Sequence, residues 1–177
     1  MVKSKLSVRD LCLIGLSTAL IAIMAQISIP MPFGVPFTMQ TFAVLLTGIA
    51  LGAKKGMLST IVYVILGICG VPVFSRFTGG IGVVFGMTGG FILSFPIMAL
   101  IAGIGGSKNS LLWRVAGLIA AVVVNILCGM FWFAMVVPSS LDAAFSACVL
   151  PFIPTDTIKI IAVAVLSNQI KRVLPAR

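Results

Sequence analysis

The stretch Pro151-Phe-Ile-Pro-Thr-Asp-Thr-Ile-Lys159 runs without a break into the apolar segment Ile160 to Leu166. It places a carboxylate, Asp156, and an ammonium group, Lys159, at the start of a helix that is otherwise suited to lipid. An ionised side chain at membrane depth costs about 2.5–3.5 kcal/mol on insertion scales and usually faces a cavity or a partner. The pair therefore predicts a polar ligand or a charged partner at this end of the helix.

The rest of the chain has the composition of an integral membrane protein. Of its 177 residues, 60% are hydrophobic and 8% are charged, and the mean hydropathy is +1.27. A water-soluble domain of this size could not cover its surface with so few polar side chains. The apolar runs are longer than core strands and show no strict alternation, which argues against a β-barrel. We predict one all-α membrane domain over residues 1–177.

Prolines, glycines and basic residues divide the chain into six apolar segments, which we interpret as six transmembrane helices. The first segment is about as long as a membrane span, so we expect it to be retained rather than cleaved as a signal peptide. The expected spans are residues 8–29, 37–53, 55–69, 88–104, 110–136 and 154–171.

The net charge of +9 would suggest nucleic-acid binding in a soluble protein. Here the basic residues gather beside the ends of the apolar segments, as they do in cytoplasmic loops. With six spans, ten of the twelve basic residues fall on one side, leaving Arg76 outside and Lys159 within the last helix. We expect a multi-pass membrane protein with both termini in the cytoplasm and no nucleic-acid partner. The basic residues beside the segment ends are Lys3, Lys5, Arg9, Lys54, Lys55, Lys108, Arg114, Lys171, Arg172 and Arg177.

The chain has few groups that could perform catalysis or hold a metal. It contains no histidine and no glutamate, and its three acidic residues are Asp10, Asp142 and Asp156. A serine or cysteine nucleophile would lack a histidine to activate it, and metal sites built from histidine and carboxylates are excluded. We therefore expect no enzyme activity, no metal and no resident cofactor.

Several polar residues in the last two spans are candidates for ligand binding. Asp156 and Lys159 share a helix face and can form an ion pair. Lys159 lies against the positive end of the helix dipole, so we expect it to meet an external anion. Thr155 is a candidate N-cap and pocket residue. Asn125 stands alone in an apolar run and must be paired, either by bridging helices or by contacting the amide-like edge of a ligand. Together they suit a small amphiphile with a carboxylate.

Two earlier segments carry further candidates. Gln40 and Thr41 lie close to a proline-rich link and either line a polar pocket or bond to neighbouring backbone. Arg76 is either solvated or meets an anionic ligand group at the pocket rim. Phe74 and Phe77 flank it, as expected of a loop that covers an apolar ligand body.

The first span carries a stripe of small residues that favours close helix packing. This stripe either packs within the protein's own bundle or forms a docking face for a separate membrane subunit. The chain also has no Walker A sequence and no paired broken helices of an inverted-repeat transporter, which indicates a receptor that needs a motor from elsewhere. The stripe consists of Cys12, Gly15, Ala19, Ala22 and Gln26.

Four ordered blocks resemble BioY, the biotin-specific S-component family of energy-coupling-factor (ECF) vitamin transporters. Pro36-Phe-Thr-Met-Gln-Thr-Phe42, with Leu45-Leu, Gly48 and Leu51-Gly52 behind it, is similar to the second-helix signature of that family. The other three blocks are Gly70-Val-Pro-Val-Phe74, Met87-Thr-Gly-Gly-Phe91 and the opening stretch Pro151 to Lys159. The similarity covers essentially the whole chain.

The resemblance implies a six-helix subunit of a prokaryotic plasma membrane that captures biotin with high affinity at the external face. Uptake in that family uses a transmembrane coupling subunit (T-component) and two ABC-type ATPases. By the same resemblance, Asp156 and Asn125 would meet the ureido ring of biotin, with Lys159 close by. Gly15-x-x-x-Ala19 stands where the family carries an Ala-x-x-x-Ala docking motif.

Two positions depart from the family pattern, namely Thr155, where glycine is usual, and Met87, where proline is usual. The alternative function is a structural or assembly subunit of a membrane complex with no small-molecule ligand. In that case Asp156 and Lys159 would pair with each other or with a partner's charges.

Overall fold

The computed structural model describes residues 6–31, 34–108, 110–138 and 140–173, with side chains up to residue 169. Of the basic residues on which the topology prediction rests, Lys3, Lys5 and Arg177 lie outside the described residues. The side chains of Lys171 and Arg172 lie outside them as well.

Six long helices and a few short elements make up the described chain. Each long helix begins or ends near a proline, a glycine or a polar residue, as the sequence predicts. The elements in order are α1 (Val8–Gln26), β1 (Ser28–Ile29), β2 (Phe37–Thr38), α2 (Gln40–Leu51), α3 (Ala53–Ile68), a 3-10 turn (Ser75–Phe77), α4 (Ile81–Val84), α5 (Gly89–Ser107), α6 (Leu111–Val136), α7 (Leu141–Cys148) and α8 (Ile153–Val173).

The first predicted span differs from the structure at its end. Helix α1 ends at Gln26, three residues before the expected boundary, because the chain there turns into an extended strand. Ser28 pairs with Thr38 and Ile29 with Phe37 in a two-stranded antiparallel ribbon. The ribbon gives extended backbone its hydrogen bonds where the helix has stopped, and it delays the start of α2 to Gln40.

The helices differ in how well they fit a bilayer on their own. Within the described residues, α1, α5 and α6 are each long and apolar enough to cross a membrane, and α7 and α8 qualify together as one span bent by 44°. Helices α2 and α3 have 12 and 16 residues, so at about 1.5 Å per residue they are shorter than the roughly 30 Å hydrocarbon core. The protein is a multi-pass membrane protein whose spans are unequal in length.

Helix α5 occupies the centre of the bundle, and small residues let its neighbours approach. A Cβ atom on Gly90 would overlap Trp132 and the backbone of α6, and a Cβ atom on Gly105 would lie 2.8 Å from the Cα atom of Gly117. In lipid, close backbone contact of this kind replaces hydrophobic burial as the force that holds helices together. These contacts fix α5 against α6 and so place Phe91 and Asn125, which both face the cavity described below.

The two ends of the bundle differ in charge. Lys55, in the first turn of α3, forms an ion pair with Asp10, in the first turn of α1. Arg114, near the start of the predicted fifth span, is part of α6 and only 6% exposed. It donates to Ser167 Oγ at 2.8 Å and to Asn168 Oδ1 at 2.7 Å, and so ties α6 to α8. The starts of α2 and α8 lie at the opposite end.

Candidate functional site

A cavity of about 240 Å³ lies where α2, α5 and α8 begin, beside the loop after α3. Seven of the eight residues predicted to bind a ligand line it, and their side chains come from four separate segments of the chain. These residues are Gln40, Thr41, Phe74, Arg76, Asn125, Asp156 and Lys159. A concave, mostly apolar site with a few convergent polar groups is typical of small-molecule binding.

The charged corner of the cavity is formed by Asp156 and Lys159. Lys159 Nζ donates to Asp156 Oδ1 at 3.0 Å and to Thr41 Oγ1 at 2.8 Å, and it lies 4.7 Å from the centre of the Phe37 ring. The two charged residues are only 4% and 5% exposed. The expected ion pair is therefore present, and a buried pair of this kind is stable only when its remaining hydrogen-bonding groups are also satisfied.

Thr155 is the predicted site residue that does not line the cavity. It lies within the first turn of α8, which begins at Ile153, and its hydroxyl donates to the Phe152 carbonyl at 2.8 Å. The prediction that it caps the helix is wrong, because the helix starts two residues earlier, before Pro154, which lacks an N–H group and is tolerated in a first turn.

Asn125 bridges two helices and also faces the cavity. Its Nδ2 atom donates to the Phe91 carbonyl at 3.0 Å and to Ser94 Oγ at 2.8 Å, so the bridging role is confirmed. The residue is 2% exposed and lines the cavity. Among the described residues nothing donates to its Oδ1 atom, which leaves that oxygen able to accept a hydrogen bond from a ligand N–H.

Gln40 belongs to a hydrogen-bonded chain that the sequence pattern did not predict. Thr38 Oγ1 donates to Gln40 Oε1 at 3.1 Å, Gln40 Nε2 donates to the Tyr63 hydroxyl, and that hydroxyl donates to the Val73 carbonyl at 3.0 Å. Tyr63 is fully buried. Its being the only tyrosine, within an apolar helix, was the available signal, since a buried phenol requires a polar partner. The chain fixes Gln40 and anchors the loop after α3.

Aromatic side chains form the apolar wall beside the ion pair. The rings of Phe37 and Phe152 stack with centroids 5.6 Å apart, and those of Phe91 and Phe152 lie 6.2 Å apart. Phe91 and Phe152 line the cavity. Both belong to the sequence blocks quoted above, but nothing in the pattern separated them from lipid-facing phenylalanines.

The loop after α3 differs from the expected covering segment. Phe74 is 1% exposed, packs edge-on against Tyr63 and lines the cavity, whereas Phe77 is 72% exposed and does not line it. The prediction that both rings cover a ligand is therefore wrong for Phe77. Arg76 lines the cavity with a left-handed backbone, φ 60° and ψ 35°, which costs a non-glycine residue about 1–2 kcal/mol.

Four of the five residues in the small-residue stripe of α1 fall into three groups. Gly15 and Ala19 are exposed, and a Cβ atom on Gly15 would meet nothing within 4 Å. Ala22 is half-buried and packs against the protein's own core. Gln26 bonds to the loop after α3 instead of facing outward. Packing within the bundle thus accounts for Ala22 and Gln26, and the docking role of Gly15 and Ala19 stays a prediction.

The polar groups of the cavity are suited to binding a small molecule. Within the parts of the chain that the structure describes, no three histidine, cysteine or acidic side chains come close enough to hold a metal ion. The cavity offers a carboxylate, an ammonium group, a guanidinium group and amides within aromatic walls. This set can bind a small molecule that has both hydrogen-bonding groups and an apolar body.

Comparison with known proteins identifies the family. The sequence model of the BioY family matches residues 1–176. The chain is 39% identical over 163 residues to the "Probable biotin transporter BioY" of Pyrococcus horikoshii, covering 92% of this chain and 96% of that protein. It is 37% identical over 165 residues to the "Biotin transporter BioY" of Thermotoga maritima, covering 93% and 96%.

A solved structure shows the same fold. The S-component for biotin from an ECF-type ABC transporter superposes with a TM-score of 0.85 at 24% identity, over 93% of this chain and 92% of that one. The predicted all-α, six-helix membrane fold of an S-component is thus confirmed. So is the resemblance found in the four sequence blocks, and this chain belongs to the BioY family.

Proposed function

We propose that this protein is the biotin-capturing S-component of an ECF-type vitamin transporter, and hence a transport subunit rather than an enzyme. The observation that carries the proposal is the cavity, which gathers Asp156, Lys159 and Asn125 within aromatic walls in a chain of the BioY family. Relatives that match more than nine-tenths of this chain are named biotin transporters. The alternative, an assembly subunit with no ligand, is not favoured.

The cavity has groups that match both the cyclic urea and the apolar part of biotin. A cyclic urea offers two N–H donors and one carbonyl acceptor. Asn125 Oδ1 and the carboxylate of Asp156 are acceptors at the buried end, and Lys159 is a donor beside them. The aromatic wall of Phe91 and Phe152 suits the apolar ring and chain of the ligand.

We assign the ligand carboxylate to Arg76 rather than to Lys159. Lys159 is already neutralised by Asp156 at 3.0 Å and is 5% exposed. Arg76 lines the cavity at its loop and is in neither of the two ion pairs found among the described residues. A guanidinium group without a counter-ion binds a carboxylate more favourably than an ammonium group whose charge is already compensated.

The charge distribution supports an external cavity and cytoplasmic termini. The ion pair of Asp10 with Lys55 and the buried Arg114 lie at the end of the bundle away from the cavity. Most basic residues of the sequence belong to segments at that same end, as the positive-inside rule requires of a cytoplasmic side.

Uptake would then need partners that supply energy. The chain has no Walker A sequence, and we assign ATP hydrolysis to two ABC-type ATPases acting through a transmembrane T-component. The exposed Gly15 and Ala19 on α1 form a smooth surface on which a helix of that subunit can pack.

Binding of biotin to the purified protein tests the proposal. The protein in detergent should bind one biotin per chain, and biotin should raise its thermal unfolding temperature by mass action. Thiamine serves as a control vitamin without a ureido ring. No binding and no thermal shift across micromolar biotin would refute the proposed function.

A further inference from the structure

The loop of residues 74–78 reaches the cavity with an unfavourable backbone. Arg76 and the following Phe77 both have positive φ values, 60° and 55°. L-residues, unlike achiral glycine, avoid this left-handed region because the Cβ atom crowds the carbonyl oxygen. Two such residues in succession persist only where surrounding structure holds them in place.

Gln26, the last residue of α1, supplies such support. Its Nε2 atom donates to the Ala22 carbonyl at 3.0 Å and to the Phe74 carbonyl at 3.1 Å, and its Oε1 atom accepts from the Phe77 N–H at 2.8 Å. Both amide hydrogens and the amide oxygen are therefore used. Gln26 holds the loop on both sides of Ser75 and Arg76 and does not itself line the cavity.

The held segment presents two groups to the cavity. Ser75 Oγ is buried, has no hydrogen-bond partner among the described residues and belongs to a cavity-lining residue. The adjacent Arg76 also lines the cavity and lacks an ion-pair partner there. An unpaired buried hydroxyl is costly, and a hydroxyl and a guanidinium group side by side are suitable donors for a carboxylate.

We propose that Gln26 is a positioning residue that holds residues 74–78 so that Ser75 and Arg76 bind the ligand carboxylate. The proposal rests on the proposed function, because it concerns the anionic end of the same ligand. Through Gln26, helix α1 would then determine that the cavity prefers an acid to a neutral ligand, although Gln26 does not line the cavity.

The test compares biotin with its neutral primary amide, measured by calorimetry on the native protein and on Gln26→Met. The native protein should bind biotin at least about tenfold more tightly than the amide, the change expected for a charge-assisted hydrogen bond. Gln26→Met should remove most of this preference while leaving affinity for the amide within about twofold. Gln169→Met, at an exposed position near the C-terminal end of α8, is the matched control and should behave as the native protein does.

Two further variants separate positioning from folding. Ser75→Ala and Arg76→Gly should each lower the preference for the acid, and glycine also accepts the left-handed backbone without strain. In the Arg76→Gly background, Gln26→Met should change the preference little further. If Gln26→Met does not fold, Gln26→Asn replaces it, since its amide is one methylene shorter but equally polar, and it should lose the preference in the same way. An unchanged preference in Gln26→Asn, or in both Ser75→Ala and Arg76→Gly, would overturn the proposal.

Other outcomes are equally distinct. Equal weakening of biotin and amide by Gln26→Met would show a merely structural role and overturn the proposal. An unchanged preference in a folded Gln26→Met protein would overturn it as well. If the native protein binds neither ligand, the proposed function itself fails and this inference falls with it.

Discussion

Replacing Asp156 by asparagine removes one negative charge from the cavity without changing the shape of the side chain. Asp156 is 4% exposed and its Oδ1 atom accepts from Lys159 Nζ at 3.0 Å. In the variant, Lys159 would retain only the Thr41 hydroxyl and the Phe37 ring as partners. The buried ammonium charge would be left without a counter-ion, and the ligand would lose a charged acceptor.

Both losses lower affinity. Truncating one partner of a buried, hydrogen-bonded charge pair costs about 2–5 kcal/mol, which corresponds to a roughly 30- to 4,000-fold weaker Kd for biotin. The variant should also unfold at a lower temperature without ligand, because an uncompensated buried charge destabilises the fold by about 3–5 kcal/mol. The contacts of Lys159 with Thr41 and Phe37 favour the lower end of that range.

Calorimetric titration with biotin measures the affinity, and thermal unfolding without ligand measures the stability. Asp142→Asn is the matched control, since Asp142 is exposed in α7 and lines no part of the cavity. It should change neither quantity. An affinity of the Asp156→Asn protein within twofold of native would refute the reasoning that places this carboxylate at the ligand. A large loss of stability with unchanged affinity would leave the pair only a structural role.

Two further substitutions test the packing of α5 and the face of α1. Gly90→Ala should lower the thermal unfolding temperature, at a cost of about 1–3 kcal/mol for overpacking, because its Cβ atom would overlap α6; Gly82→Ala, where a Cβ atom meets nothing within 4 Å, should not. Equal unfolding temperatures for the two variants would contradict the close contact. Gly15→Trp should leave biotin binding intact and prevent co-purification with the T-component, while Val165→Trp, at another exposed position, should permit it. Co-purification of Gly15→Trp would remove this face from the docking surface.

The sequence was sufficient for the helices because each apolar run has a clear chemical boundary. Proline, glycine and basic residues end or flank the runs, and five of the six long helices lie close to their predicted positions. The end of α1 was placed wrongly because Ser28 and Ile29 are apolar or small and continue the helical pattern. Only their pairing with Phe37 and Thr38, across a proline-rich link, ends the helix at Gln26. Pairing between distant segments leaves no local signal of this kind.

The sequence predicted the cavity residues whose type is rare in apolar segments, and it missed those whose type is common there. A single asparagine or an aspartate in an apolar run needs a partner, so Asn125 and Asp156 stood out. Phe91 and Phe152 did not, since a phenylalanine facing a cavity and one facing lipid have the same sequence environment. Gln26 was placed on the docking stripe by its helical spacing, yet its hydrogen bonds to a loop about fifty residues away decide its role.

A charge within a membrane span is not by itself a mark of a ligand site, and Arg114 shows why. It is as buried as Lys159, at 6% against 5% exposed. Arg114 donates hydrogen bonds to Ser167 and Asn168 and does not line the cavity. Lys159 does line the cavity. The free-energy cost of burying the charge is offset for Arg114 by hydrogen bonds to a neighbouring helix, and for Lys159 by the carboxylate of Asp156 at the cavity. What supports a ligand-binding role for Lys159 and its partner Asp156 is therefore the cavity that they share with Asn125.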